Sequence, residues 1–222
     1  MGRRRPRGLF VRLLSPAILL YSLAVSPGGI CDDYSLMMPL ASRSLLLDVT
    51  RAGQRLVAAG ERGHILYSDD QGKTWTQARV PTRQMLTGVH FPTPERGWAV
   101  GHDGLVLATI DRGENWVLQR DGLAQQAVQN RRNLARLRAR QADLGASAEQ
   151  EGNPIHWRVM QSEQEELALN LEDAEYTMSQ AVNTAPLLDV FFSDHLNGIA
   201  TGAFNTLLVT GDAGETWEDR SA

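Results

Sequence analysis

SDDQGKTW at residues 68–75, TIDRGENW at residues 109–116 and TGDAGETW at residues 210–217 are three copies of one octapeptide. Each copy reads Ser or Thr, any residue, Asp, any residue, Gly, any residue, Thr or Asn, and Trp. The likeness extends upstream, because Gly60, Gly101 and Gly202 each stand eight residues before the Ser or Thr of their box. Val89 and Val190 precede that glycine by 12 residues and Val49 precedes it by 11. A period this regular is the mark of a repeat architecture.

The chemistry of the box is that of a turn. A hydroxyl at position one (Ser68, Thr109, Thr210) and a carboxylate at position three (Asp70, Asp111, Asp212) can accept hydrogen bonds from the amides of their own reversal. Gly72, Gly113 and Gly214 suit a left-handed backbone, which costs other residues about 1–2 kcal/mol. Trp75, Trp116 and Trp217 then start a strand and bury a large ring. Around the boxes, short alternating runs predict four strands per period. They are Leu45–Thr50, Arg55–Gly60, Ile65–Ser68 and Thr74–Ala78 in the first copy. The second copy has Leu86–Phe91, Gly97–Gly101, Leu105–Thr109 and Asn115–Gln119, and the third Leu187–Phe192, Gly198–Gly202, Thr206–Thr210 and Thr216–Asp219. Four strands in about 41 residues is the arithmetic of a β-propeller blade. The expected fold class is all-β: a partial propeller of three four-stranded blades.

The repeat is interrupted once. Asp70 and Asp111 are 41 residues apart, whereas Asp111 and Asp212 are 101 apart, an excess of 60. The intervening segment carries Arg131, Arg132, Arg136, Arg138 and Arg140 with Ala127, Leu134, Leu137 and Leu144 on one helical face. After a break at Gly145–Pro154 it carries Glu163, Glu165, Glu166, Glu172, Asp173 and Glu175 with Leu167, Leu171, Ala174 and Met178 at helical spacing. A basic helix followed by an acidic one predicts an antiparallel helical hairpin. The expected organisation is therefore a signal peptide over 1–30, a linker over 31–44, two blades over 45–122, the hairpin over 123–185 and a third blade over 186–222.

The stretch GWAVGHDGLVLATIDRGENW, residues 97–116, resembles the repeats of the photosystem II stability and assembly factor family within the Asp-box class. The resemblance covers residues 45–122 and 186–222. It implies a seven-bladed propeller that binds other proteins during assembly and carries no catalytic residues. Without the insert, Leu45–Ala222 spans 2.9 periods, so the resemblance implies a fragment of a seven-bladed ring, with open blade edges through which copies could self-associate.

Composition bounds the partners. The 222 residues carry a net charge of −4, but five of the 22 basic residues and none of the 26 acids lie in residues 1–30. The remainder holds 17 bases against 26 acids, a net charge of −9, which speaks against a nucleic-acid partner. Arg3, Arg4, Arg5, Arg7 and Arg12 lead into a 13-residue apolar run and then small residues, the order of a secretory signal. That run is short for a spanning helix, so no stable membrane span is expected after cleavage. The expected location is the periplasm or cell envelope, with protein partners there. A single cysteine, Cys31, cannot form an internal disulfide or a paired-cysteine zinc site, and no metal or cofactor motif is present.

The turns between second and third strands should share one face with the hairpin. They supply the candidate binding residues Arg62, His64, His102, Asp103 and Asn205, while the boxes occupy the opposite face. The competing reading is a sialidase-like or glycan-binding propeller, since Asp boxes also occur in glycosidases. Such chemistry needs facing carboxylates or a placed tyrosine. Tyr67 stands beside a box, Tyr176 lies in the insert, and Tyr21 and Tyr34 lie near the signal region, so none is well placed. The expected activity is non-catalytic.

Overall fold

The computed structural model describes residues 33–148 and 154–221. The segment read as a signal peptide lies outside them. Three antiparallel sheets of four strands account for the three repeats. The first is β1 (Leu46–Ala52), β2 (Arg55–Gly60), β3 (Ile65–Ser68) and β4 (Thr76–Gln77). The second is β5 (Leu86–His90), β6 (Gly97–Gly101), β7 (Val106–Thr109) and β8 (Val117–Arg120), and the third is β9 (Leu187–Phe192), β10 (Gly198–Gly202), β11 (Leu207–Thr210) and β12 (Glu218–Asp219). Strand order follows chain order in every sheet, as a propeller blade requires. The structure is a partial β-propeller.

Register explains the period. Val49, Val89 and Val190 pair with Ala58, Ala99 and Ala200, so the three valines are equivalent. The 11-against-12 spacing is absorbed in the first turn of blade one, where Ala52 pairs with Arg55 across Gly53 and Gln54. The repeated glycines are steric necessities. A Cβ on Gly60 would lie 2.1 Å from the Leu45 carbonyl oxygen, and one on Gly101 would lie 2.1 Å from that of Met85.

Blades pack face to face. Val57, Ala59, Ile65 and Tyr67 of blade one meet Val89, Phe91, Ala99, Leu107 and Trp116 of blade two. Trp98, Val100, Val106 and Ala108 of blade two then meet Leu187, Val190, Phe192, Ala200 and Leu208 of blade three. Arg55, 5% exposed, crosses the first interface. Its guanidinium makes two 2.7 Å bonds to Asp69, one of 3.1 Å to Glu114 and one to the Arg112 carbonyl, and it stacks over Tyr67 at 4.2 Å. Asp69 and Glu114 occupy variable positions of boxes one and two, so the turns of neighbouring blades are tied together.

The box tryptophans precede the fourth strands instead of starting them. Trp116 is buried, whereas Trp75 and Trp217 are half-buried, so the expected burial of all three holds fully only at Trp116. That ring is enclosed by two blades, while the corresponding face of blade one has no neighbouring blade among the described residues. On the far side of blade three, Phe191 and Ile199 pair across β9 and β10 and are exposed. Apolar surface is thus left uncovered on the outer sheet face of blade three.

The insert forms α1 (Gly122–Ala148) and α2 (Pro154–Ser179). Leu144, Met160, Leu167 and Leu171, with Leu134 and Leu137 against them, make its core. Arg138 bonds Glu175 at 2.9 Å and Arg140 bonds Glu163, the pairing of basic and acidic helices that the sequence predicts. Two details differ. Helix α1 continues through Gly145, which costs about 1 kcal/mol, because Leu144 holds that turn in the core. Met178 is exposed and stands outside the core that Leu167 and Leu171 share with α1. The segment read as a linker is docked: the Ser35 amide donates to the Val80 carbonyl at 2.9 Å, and its hydroxyl donates to the Arg62 carbonyl at 2.9 Å.

Candidate partner-binding face

At one end of the blades, the boxes consume their own polar groups. The Ser68 hydroxyl donates to Asp70 at 2.8 Å and accepts from the Gly72 amide at 2.8 Å, while Asp70 accepts from the Thr74 amide and hydroxyl. Thr109 with Asp111, and Thr210 with Asp212, repeat this network. Gly72, Gly113 and Gly214 have φ of 85°, 84° and 83°, as the left-handed position requires. The preceding Gln71, Arg112 and Ala213 are also left-handed, at 62–65°, a second constrained position that the variable letter conceals. The Trp75 and Trp116 indoles close the turns by donating to the Gly72 and Gly113 carbonyls at 3.1 and 3.0 Å.

Hydrogen bonds from the Thr74 hydroxyl, the Thr74 amide and Ser68 hold the Asp70 carboxyl at about 2. Those from the Thr216 hydroxyl and amide and from Thr210 hold Asp212 at about 2. Burial pushes Asp111 up, but the Asn115 amide and side chain outweigh it, and the net shift is downward. An unfolded Asp titrates near 3.9. The contribution of Asp70 and Asp212 to stability is therefore complete above that value and disappears as pH falls toward 2. The share of the urea midpoint that these two carboxylates carry should be flat above about pH 5 and fall steeply between about pH 4 and 2, on top of the shallower decline below about pH 6.5 that the buried His64 contributes. Asp70→Asn together with Asp212→Asn should flatten that fall; an unchanged slope would contradict the assignment.

The opposite end carries the turns between second and third strands. Each is a two-residue reversal with both central residues left-handed: Arg62 and Gly63 at 56° and 69°, Asp103 and Gly104 at 59° and 64°, Phe204 and Asn205 at 55° and 64°. Amide bonds from His64, Leu105 and Thr206 to the carbonyls of Glu61, His102 and Ala203 close them. Asp, Asn and Gly tolerate this geometry best, so turn chemistry accounts for Asp103, Gly104 and Asn205. Arg62, His102 and Asn205 are exposed and Asp103 is half-exposed. His64 is not part of the accessible set. It is 1% exposed, its Nδ1 meets the Ser44 hydroxyl at 2.9 Å, and burial lowers its pKa.

The root of the hairpin joins this end at blade two. A Cβ on Gly104 would meet Gly122 Cα at 3.3 Å and Thr184 at 3.4 Å, so both ends of the insert flank the His102–Gly104 turn. Asp121 caps α1 by accepting from the Ala124 amide at 3.0 Å. Beneath the turn, the Arg120 guanidinium donates to the Gly104 carbonyl. Burial lowers the Arg120 pKa, against the pull of Asp219 and Asp121. Arg120, Gln125, Gln126, Gln129 and Asp219 line an open cleft of about 250 Å³. Arg120 is not among the residues that the sequence singles out, because it falls one position beyond the expected strand at 115–119; its place at the boundary of the insert is the available signal. The geometry thus assembles a cleft of amides, one cation and one carboxylate, with Leu208 and Trp217 as its apolar wall, beside an exposed turn.

The carboxylates of Asp70, Asp111 and Asp212 are committed to their own turns, those of Asp69 and Glu114 bond Arg55, and Tyr67 lies under the Arg55 guanidinium. Among the described residues no three His, Cys, Asp or Glu side chains gather as a metal-binding group. No described helix is long and apolar enough to cross a membrane.

Residues 66–77 match the BNR/Asp-box repeat family. That match falls on β3, the first box and β4. Over 84 residues, 37% of the chain, the sequence is 38% identical to the chloroplast photosystem II stability/assembly factor HCF136 of Cyanidioschyzon merolae. Over 100 residues it is 28% identical to that of Arabidopsis thaliana. These stretches are 18% and 22% of those proteins, so the chain spans about a fifth of the curated relatives it matches. Among solved structures, YCF48 bound to a D1 peptide covers 78% of the chain at a TM-score of 0.46 and 13% identity. YCF48 from Cyanidioschyzon merolae covers 79% at 0.44 and 15%. The chain covers 38% and 39% of those two structures.

Proposed function

We propose that this chain is a non-catalytic propeller scaffold that binds a segment of a protein partner at the turn end of its blades, as an assembly or stability factor for an envelope complex. The observation that carries this reading is the contrast between the two ends. Box carboxylates are spent on folding, whereas the other end presents exposed Arg62, His102 and Asn205, half-exposed Asp103 and the cleft beside Arg120. Similarity to two photosystem II stability/assembly factors supports the same class of role. A peptide segment, as the D1 peptide is for YCF48, is the ligand class proposed. Export by the first 30 residues completes the reading; a mature amino terminus sequenced from the envelope fraction tests it, and an uncleaved terminus in the cytosol contradicts it.

The binding face is tested by affinity purification from envelope extracts. Arg62→Gly, Asp103→Gly and Asn205→Gly keep the left-handed turns, and His102→Ala removes the remaining side chain. The combined variant should fold, shown by an unchanged urea midpoint, and lose at least tenfold of the partner recovered by the unaltered chain. Equal recovery would place the partner elsewhere.

A further inference from the structure

The outer faces of the two insert helices are complementary to each other, and they point away from the core the helices share. On α1, Val128, Ala135, Ala139 and Ala142 follow at spacings of seven, four and three and are all exposed. This places them on one face, opposite Leu137 and Leu144. Arg131 and Arg132 border that stripe, and neither has an acidic partner among the described residues. On α2, Leu169 and Tyr176 are seven residues apart, 68% and 64% exposed, and lie opposite Met160, Leu167 and Leu171. Glu165, Glu166, Glu172 and Asp173 border them, all exposed and without a cationic partner among the described residues.

Size, spacing and charge all match. Two large side chains one heptad apart, about 10.5 Å along the axis, face a stripe whose small residues recur at the same interval. Packing large side chains into the spaces above alanines is the ordinary way that helices close on one another. The acids beside Leu169 and Tyr176 meet the arginines beside the alanine stripe, repeating on the outside the Arg138–Glu175 and Arg140–Glu163 pairing inside. The two surfaces lie on opposite sides of one hairpin, so they can meet only between molecules.

We propose that copies of this chain associate side by side through the insert, the outer face of α2 in one copy seated on the outer face of α1 in the next. The contact is heterologous, and so it propagates beyond a dimer unless blocked. It involves one helix pair, the small end of the interface range, and is therefore weak and salt-sensitive. This inference is independent of the binding face proposed above.

Sedimentation equilibrium at about 100 µM, a concentration suited to so small an interface, tests it with two variants of the full chain. Leu169→Asp with Tyr176→Asp blocks α2; Ala135→Glu with Ala139→Glu blocks α1. Neither touches the hairpin core, so circular dichroism should be unchanged. The unaltered chain is expected to form dimers and larger species, each variant to stay monomeric, and an equimolar mixture of the two to form a one-to-one dimer and nothing larger. A monomeric unaltered chain overturns the proposal, even where α2 binds some other basic segment. So does a mixture that stays monomeric while the unaltered chain associates, or a blocked variant that still dimerises.

Discussion

Replacing Trp98 by Ala is expected to destabilise the chain by about 3–5 kcal/mol, the range for deleting a large buried aromatic. Trp98 stands in β6 at the position that Val57 and Ile199 hold in the other blades, on the face turned toward blade three. Its ring stacks on Phe192 at 3.6 Å, with the planes 10° apart. Phe192 in turn meets Trp217 edge-on at 5.9 Å. The Trp98 indole donates to the Gln119 side chain at 2.9 Å and to the Ala213 carbonyl at 3.2 Å. One side chain thus fills the interface and ties the third box to blade two. Trp98→Phe keeps much of the ring and loses the donor, so it should cost about 1–2 kcal/mol. Urea unfolding monitored by circular dichroism checks both. A loss below about 1.5 kcal/mol for Trp98→Ala would mean that blades two and three are not held by this contact.

Phe91→Ala should cost a similar amount, about 3–5 kcal/mol, and its cost should depend on the residue at 97. Phe91 packs edge-on against Trp116 at 5.9 Å inside the first blade interface. Its ring lies over Gly97, where a Cβ would come within 2.5 Å of it. Phe192 covers Gly198 in the same way at 2.6 Å. Blade one solves the same volume differently, with Leu56 paired to Arg51: the bulk sits on the second strand instead of the first. Gly97→Leu alone should therefore overpack the site, costing about 1–3 kcal/mol or more. Phe91→Ala with Gly97→Leu moves the apolar volume from one strand to the other. The double variant should be more stable than the sum of the single losses by about 0.5–3 kcal/mol. Strict additivity would show that the two positions do not share one space.

The Phe91–Gly97 pair also shows where the letters of the repeat stop being sufficient. Glycine at 97 and 198 and leucine at 56 look like a broken repeat position. Only the ring lying over the glycine shows that one volume is conserved by two residues. Gln71, Arg112 and Ala213 make a similar point. They occupy the least constrained letter of the box, yet all three are left-handed, because the turn needs two such residues in succession and the glycine supplies only the second. His64 and Arg120 exchanged roles for a comparable reason. Both were single polar residues beside glycine-rich turns or strand ends, and burial, a tertiary property, decided that the first is structural and the second lines a cleft.

The number of blades, their strand order, the turn chemistry of Asp70, Asp111 and Asp212 and the charge pairing of the hairpin were settled by local rules: periodicity, positive-φ glycines, hydroxyl and carboxylate spacing, and alternating runs. These interactions lie within a few residues or within one helix pair, so their pattern is written along the chain. Which face of each sheet is covered, which tryptophan is enclosed, how the Leu56 and Phe91 alternatives fill equivalent space, and how the root of the insert meets the His102–Gly104 turn were decided only in three dimensions. Those outcomes depend on volume and exposure shared between segments tens of residues apart, and no single stretch of sequence carries that sum.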